Sequence, residues 1–195
     1  ITTTGTPHIG NYLGAIKPAL NLSKEYEESF FFLADYHAII KNTYSEDISK
    51  SVESVALAWL SSGLDAEKSY FYRQPDIPEI LELSWILTCV TAKGLMNRSH
   101  AYKAATSLNT IDVDKGINMG LFSYPILMAA DILLFKETHV HVVSEKNQQK
   151  KMTRDIANKF NHIYKKTFVL PEPIIQDLND TVPGIDGKKM SKSYG

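Results

Sequence analysis

Apolar residues along the chain fall into short unbroken runs, separated by longer stretches in which they recur every three or four positions. Runs of the first kind suit strands buried in a parallel sheet, and the second pattern suits amphipathic helices. Three strands are predicted. Residues 30–35, Phe30-Phe31-Phe32-Leu33-Ala34-Asp35, are nearly all apolar, as in a strand buried on both faces. Residues 69–74, Ser69-Tyr70-Phe71-Tyr72-Arg73-Gln74, are halted by Pro75, and residues 139–143, His139-Val140-His141-Val142-Val143, form the third. Helices are predicted over residues 12–26, 48–63, 77–91, 124–135 and 147–164. In the second of these Val52, Val55, Ala56, Trp59 and Leu60 lie at offsets 0, 3, 4, 7 and 8, one face of a helix. Asp76-Ile77-Pro78-Glu79 offers an N-cap acid and an early proline to the third. Strands alternating with helices predict an α/β fold with a parallel sheet. No repeat, low-complexity stretch or Pro/Gly/Ser linker divides residues 1–195, so one domain is expected.

Composition narrows the class of protein. With 22 acidic and 21 basic side chains the formal net charge is −1, and 44% of residues are hydrophobic, as expected of an ordinary globular protein. No window approaches the roughly 18 consecutive apolar residues of a membrane span, and no charged-then-apolar leader precedes Ile1, so neither is expected. Cys89 is the single cysteine, which excludes an internal disulfide and any site with two thiolate ligands. A reducing, cytoplasmic setting is expected. The near-zero charge hides an asymmetry: residues 1–135 carry 15 acidic against 10 basic side chains, and residues 136–195 carry 7 against 11. On charge alone a solvated face is the simpler explanation, ahead of an anion site.

Parallel α/β sheets bind ligands at the carboxyl ends of their strands, where loops meet helix N-termini. The first such loop is Thr2-Thr3-Thr4-Gly5-Thr6-Pro7-His8-Ile9-Gly10-Asn11. Its two glycines let backbone approach a ligand, and the helix start beyond offers N–H groups to phosphate. It carries no G-x-G-x-x-G, and Gly184, Gly187 and Lys188 lack P-loop spacing, which disfavours a Rossmann dehydrogenase or P-loop NTPase. Near the other end Lys188-Lys189-Met190-Ser191-Lys192-Ser193 follows the turn-forming Pro183-Gly184-Ile185-Asp186-Gly187. Three lysines and two hydroxyls on a glycine-flanked loop form a movable cationic clamp for a polyphosphate. Taken singly, a plain loop and a frayed basic terminus explain the two segments equally well.

Taken together they carry a resemblance. A proline and then His8-Ile9-Gly10-Asn11 stand where class I aminoacyl-tRNA synthetases have their HIGH-type signature, and Lys189-Met190-Ser191-Lys192-Ser193 matches the second signature letter for letter. Agreement continues through Ala34-Asp35-Tyr36-His37-Ala38-Ile39, Lys93-Gly94-Leu95-Met96-Asn97-Arg98, Gly120-Leu121-Phe122-Ser123-Tyr124-Pro125, Met128-Ala129-Ala130-Asp131-Ile132-Leu133-Leu134 and Thr153-Arg154-Asp155-Ile156-Ala157. Over essentially its whole length the chain resembles the bacterial type of tryptophanyl-tRNA synthetase. The Met-Ala-Ala-Asp-Ile stretch points to the tryptophan branch of the class and away from the tyrosine one.

The resemblance implies a Rossmann-like parallel sheet flanked by helices, the class I catalytic domain, with the helical anticodon-binding domain absent from this chain. It also implies a homodimer, with the dimer contact expected within residues 77–100. The implied reaction joins ATP and L-tryptophan into tryptophanyl-adenylate and pyrophosphate, then transfers the acyl group to tRNA(Trp). Mg²⁺ is expected with ATP, held mainly by the phosphates. Such chemistry needs no protein nucleophile; it needs donors and cations that align two anions and neutralise the leaving pyrophosphate. His8, Asn11, Lys189 and Lys192 are the implied catalytic residues. Thr2, Thr4, Gly5, Gly10, Lys103, Glu145, Met190 and Ser191 are implied to join them around ATP.

For tryptophan the implied lining is His37, Tyr124, Met128, Asp131, Ile132, Val140, Val142 and Lys146. Indole is a large apolar ring with one N–H, so its pocket calls for apolar walls and one acceptor. Asp131 lies in an otherwise apolar helical run, where an unpaired carboxylate is costly. Without the resemblance a helix-end or salt-bridged acid explains it, and core packing explains Tyr124, Met128 and Ile132; His37 suits a core histidine nearly as well.

Three positions depart from the family after the third strand. Val143 stands at a glycine that lets backbone come close to ligand, Glu145 at an aspartate expected to hold the ATP ribose, and Lys146 at a neutral glutamine near the amino acid. A β-branched residue at a close-approach glycine is not a neutral change. These positions favour an alternative, a synthetase-like paralogue that binds tryptophan, nucleotide or RNA without completing aminoacylation. His139 and His141 share a strand face, but without a third ligand no metal site is expected.

Overall fold

Two pairs of parallel strands, each joined through helices, organise the structure, a computed structural model that describes residues 2–41, 44–136, 139–143 and 147–176. The described residues up to Ile77 form one compact unit and those from Pro78 onward a second.

In the first unit α1 (Ile9–Asn11), a π-helical segment (Tyr12–Ile16) and α2 (Lys17–Ser23) lead to β1 (Ser29–Leu33), α3 (Asp35–Ile39), α4 (Ser45–Ser61), β2 (Ser69–Arg73) and a 3-10 turn (Gln74–Asp76). β1 and β2 run parallel in the register Phe31↔Phe71, and Thr2 bridges Ala34 in the same sense, so the opening residues extend this sheet beside the end of β1. Phe31, Leu33 and Phe71 face a core filled by Ile16 and Leu20 on one side and by Val52, Val55 and Trp59 of α4 on the other. Phe31 and Trp59 meet with ring centroids 4.9 Å apart. The expected face of α4 is the one buried, except that Leu60, at its far rim, is exposed. Burial of β1 on both faces is not what forms. Four of its five residues are half-buried, core-facing Phe31 among them; on the second face Phe30 stacks on Tyr70 at 4.7 Å and Phe32 on Tyr72 at 5.8 Å.

The second unit comprises α5 (Glu79–Val90), α6 (Lys93–Met96), α7 (His100–Thr106), α8 (Met119–Leu134), β3 (His139–Val143), α9 (Asn147–Ile163) and β4 (Glu172–Gln176). α8 packs against α5 and α9. The buried contact residues are Ile80 and Leu87 from α5, Ile126, Ala129, Ala130 and Leu133 from α8, and Met152, Ile156 and Ala157 from α9. Small alanines at the crossing let the backbones approach. α9 is the crossover between β3 and β4, which pair in parallel with Val140 opposite Pro173. Arg154 ties it to β4, donating from Nη1 to the Pro171 carbonyl at 2.7 Å and to Glu172 at 3.1 Å.

Several helix starts differ from expectation, two of them for a visible local reason. Asp76 does not cap α5, whose N-cap is Pro78; its carboxylate turns back to accept the Arg73 N–H at 3.0 Å and closes the 3-10 turn. α8 begins five residues before Tyr124, because Asn118 caps it by accepting the Leu121 N–H at 2.8 Å, and Pro125 sits inside the helix instead of opening it. The first helix likewise begins at Ile9, not Tyr12.

Candidate functional site

The opening turn is fastened at three points. Thr3, fully buried, donates its hydroxyl to Oδ1 of Asp35 at 3.1 Å. Asp35 is 3% exposed and its other oxygen receives Nε and Nη2 of Arg73 at 3.2 and 3.1 Å. Next, the Gly5 N–H donates to the Ser51 hydroxyl on α4 at 2.9 Å. Gly5 has φ 70, the left-handed region where a β-carbon is costly, so this bend needs glycine. Finally, His8 is the extended N-cap of α1, and its N–H donates to Oδ1 of Asn11 at 3.1 Å.

These contacts decide which atoms remain for a ligand. Because Oδ1 of Asn11 is taken, its Nδ2 amide is left as a donor. Nδ1 of His8 is buried without a hydrogen-bond partner among the described residues. A buried lone pair costs less than a buried unpaired N–H, so the proton belongs on Nε2, which makes the imidazole a donor there too. Thr2 and Thr4 are half-buried on either side of the buried Thr3, and the Thr4 N–H donates to the Thr2 carbonyl at 3.0 Å, a tight turn centred on Thr3. Gly10 and Asn11 lie in the first helical turn, followed directly by the π-helical segment, a widening often found at functional sites. His37 is half-buried on α3, two residues past Asp35. Among the site residues proposed from sequence, Thr2, Thr4, Gly5, His8, Gly10, Asn11 and His37 therefore share the carboxyl edge of one sheet.

The second group lies on α8. Its core-facing side, Pro125, Ile126, Ala129, Ala130 and Leu133, is buried, whereas Tyr124, Met128 and Ile132, one turn apart from each other, are half-buried. Asp131 falls on that half-open stripe, yet it is 2% exposed and is not without a partner. Asp131 is thus a buried acceptor beside the half-open Tyr124, Met128 and Ile132 in a largely apolar stretch of helix. Lys103 is exposed on α7 in the same unit, and Val140 and Val142 lie in β3. Nearby, Lys93 stands over the Phe122 ring at 5.6 Å, and the Asp114 carboxylate takes a 2.7 Å hydrogen bond from Tyr102. That bond, with burial and the negative charge behind it, holds the Tyr102 phenol above its ordinary value of 10.0. Glu145, Lys146, Lys189, Met190, Ser191 and Lys192 lie outside the described residues.

Sequence reading missed Thr3, Asp35, Arg73 and Ser51. The signal for Asp35 was available, since a lone carboxylate ends an apolar run at a strand's carboxyl edge and needs a partner there. Nothing local marks Ser51, whose contact spans 46 positions.

Comparison with known proteins agrees with this geometry. The family described as tRNA synthetases class I (W and Y) matches residues 1–195. The tryptophan–tRNA ligase of Neisseria meningitidis is 55% identical over 200 residues, covering 100% of this chain and 60% of that protein. The tryptophan–tRNA ligase of Bordetella pertussis is 56% identical over 199 residues, covering 100% and 44%. The crystal structure of tryptophanyl-tRNA synthetase from Campylobacter jejuni complexed with ADP and tryptophan superposes with a TM-score of 0.87 at 42% identity, over 100% of this chain and 59% of that one. The chain thus spans about half the length of the curated relatives it matches. Parallel strand pairs with crossover helices, the polar turn at the sheet's carboxyl edge and these matches agree: the fold is a Rossmann-like α/β domain, and the chain belongs to the class I tRNA synthetases of the tryptophan and tyrosine branch.

Proposed function

We propose that this chain is the nucleotide-binding catalytic domain of a tryptophan–tRNA ligase, activating L-tryptophan with ATP and passing it to tRNA(Trp). The observation that carries the reading is Asp131, a buried carboxylate on the half-open stripe formed by Tyr124, Met128 and Ile132. Indole presents one N–H donor, which a buried carboxylate accepts, and the largely apolar residues around it suit the ring. The relatives at 55% and 56% identity bear the same enzyme name, which supports the choice.

The opening turn has the chemistry that ATP calls for. Its residues 2–11 contain no carboxylate, and the free side-chain atoms of His8 and Asn11 are donors, a set that fits phosphate oxygens. Thr2, Thr4, Gly5 and Gly10 line the approach. Mg²⁺ would accompany ATP, held chiefly by the phosphates, and would supply charge neutralisation on the departing pyrophosphate. The tryptophan carboxylate attacks the α-phosphorus, the bond to pyrophosphate breaks, and His8 with Asn11 stabilises the negative charge that develops. The resemblance assigns further phosphate contacts to Lys103, Lys189, Met190, Ser191 and Lys192, and the ribose to Glu145. To the amino acid it assigns His37, Val140, Val142 and Lys146. The matching edge of α5, where Leu81, Trp85 and Ile86 are exposed apolar residues within the span expected for dimer contact, supports a homodimer. A tRNA-charging enzyme works in the cytoplasm, and among the described residues no helix is long and apolar enough to cross a membrane.

The test is tryptophan-dependent exchange of pyrophosphate into ATP by the full-length protein. Exchange with tryptophan and not with tyrosine is expected; its absence from a folded preparation rejects the reading.

A further inference from the structure

The turn that carries His8, Gly10 and Asn11 is held from outside both signatures by Ser51. This residue lies two turns into α4 and is 7% exposed. Its hydroxyl donates to the Asp47 carbonyl at 2.6 Å, one helical turn back, and accepts the Gly5 N–H at 2.9 Å. A hydroxyl has one proton, so the bond to Asp47 fixes it and turns the oxygen's lone pairs toward Gly5. The acceptor is therefore oriented before the turn meets it. Gly5 is the one described residue of the opening turn in the left-handed region, and only two residues, Thr6 and Pro7, separate it from His8. Pro7 lies between and removes one of the intervening rotations. The orientation of the Gly5 peptide is thus passed on to the donors of His8 and Asn11.

We propose that Ser51 is a positioning residue for the nucleotide: it sets the exit angle of the opening turn, and with it the phosphate donors, without itself being part of the signature. The proposal rests on the reading of that turn as the ATP site. It separates cleanly from a structural role, because alanine is the better helix former and Ser51→Ala keeps α4 and its core face intact.

The experiment is pyrophosphate exchange by the full-length protein, with ATP and tryptophan each varied, for Ser51→Ala and Ser51→Thr. Ser51→Ala is expected to raise KM for ATP about fivefold, the loss of one neutral hydrogen bond, while KM for tryptophan changes less than about twofold. Ser51→Thr, which keeps the hydroxyl, restores KM for ATP, and the melting temperature of Ser51→Ala does not fall. Unchanged KM for ATP in Ser51→Ala, or equal rises in both KM values with a lower melting temperature, overturns the assignment. If the unaltered protein shows no exchange, the functional reading falls and the role of Ser51 falls with it; exchange by the unaltered protein with an unresponsive Ser51→Ala removes Ser51 alone.

Discussion

The opening turn and the α8 stripe are held in place by different forces. In the first unit a turn of ten residues is fixed by side-chain hydrogen bonds: Thr3 to Asp35, Gly5 to Ser51, His8 to Asn11. In the second, α8 is fixed by apolar burial, with Ile126, Ala129, Ala130 and Leu133 wedged against α5 and α9. Hydrogen bonds define direction but are worth little each, because water competes for the same groups; buried apolar surface is worth more but sets position only by volume. Loosening the turn should therefore disturb kinetics before stability, and loosening the helix should do the reverse.

Leu87→Ala gives the largest expected effect. This α5 side chain is fully buried, and the cavity left behind should cost about 3 kcal/mol in urea unfolding. KM for ATP in the surviving folded fraction should barely move. Asp35→Ala comes next. It strips the buried Thr3 hydroxyl of its acceptor and releases Arg73, which is half-exposed and recovers much of its loss from water. A loss of about 2 kcal/mol is expected on the same measurement, with KM for ATP rising alongside. Gly5→Ala should cost about 1 kcal/mol because of its left-handed φ, and a denaturation midpoint indistinguishable from that of the unaltered protein would show that the turn relaxes freely.

How much of this arrangement was legible in the sequence varied from one element to the next. β3 forms over residues 139–143 as its valine-rich run predicts, and α4 buries Val52, Val55 and Trp59 as their spacing predicts. β4 went unseen because Pro173 cannot donate to a ladder and demotes any strand reading of its segment. α3, α6 and α7 are too short for periodicity to register, the first and last turns being most of each helix. At the candidate site, resemblance alone proposed His8 and Asn11, from the first signature, and Asp131, from the Met-Ala-Ala-Asp-Ile stretch. The residues that position the turn were silent, because Thr3–Asp35 and Gly5–Ser51 join positions 32 and 46 apart, a distance no local pattern encodes.

The smallest effect concerns the exposed loop after α7. Asp114→Asn replaces the charged acceptor of the Tyr102 hydroxyl, so the phenol should titrate closer to its ordinary value of 10.0 when phenolate absorbance is followed at rising pH. A phenol raised above that value favours the folded state below pH 10.0 and loses the advantage as pH climbs through its folded value, so the variant should lose slightly at neutral pH only. Unaltered titration would mean the loop does not hold Asp114 against Tyr102 in solution.

The division of labour between turn and stripe is tested most directly by a crossed kinetic measurement on the full-length protein. KM for ATP and for tryptophan would be determined in the exchange reaction for Asn11→Ala and Asp131→Asn. Asn11→Ala should raise KM for ATP about tenfold and leave tryptophan unaffected, while Asp131→Asn should lower kcat/KM for tryptophan about 100-fold, the worth of a hydrogen bond to a charged group, and leave KM for ATP unaffected. If both variants act on the same substrate, or Asp131→Asn retains full discrimination for tryptophan, the turn and the stripe do not have the separate roles assigned to them.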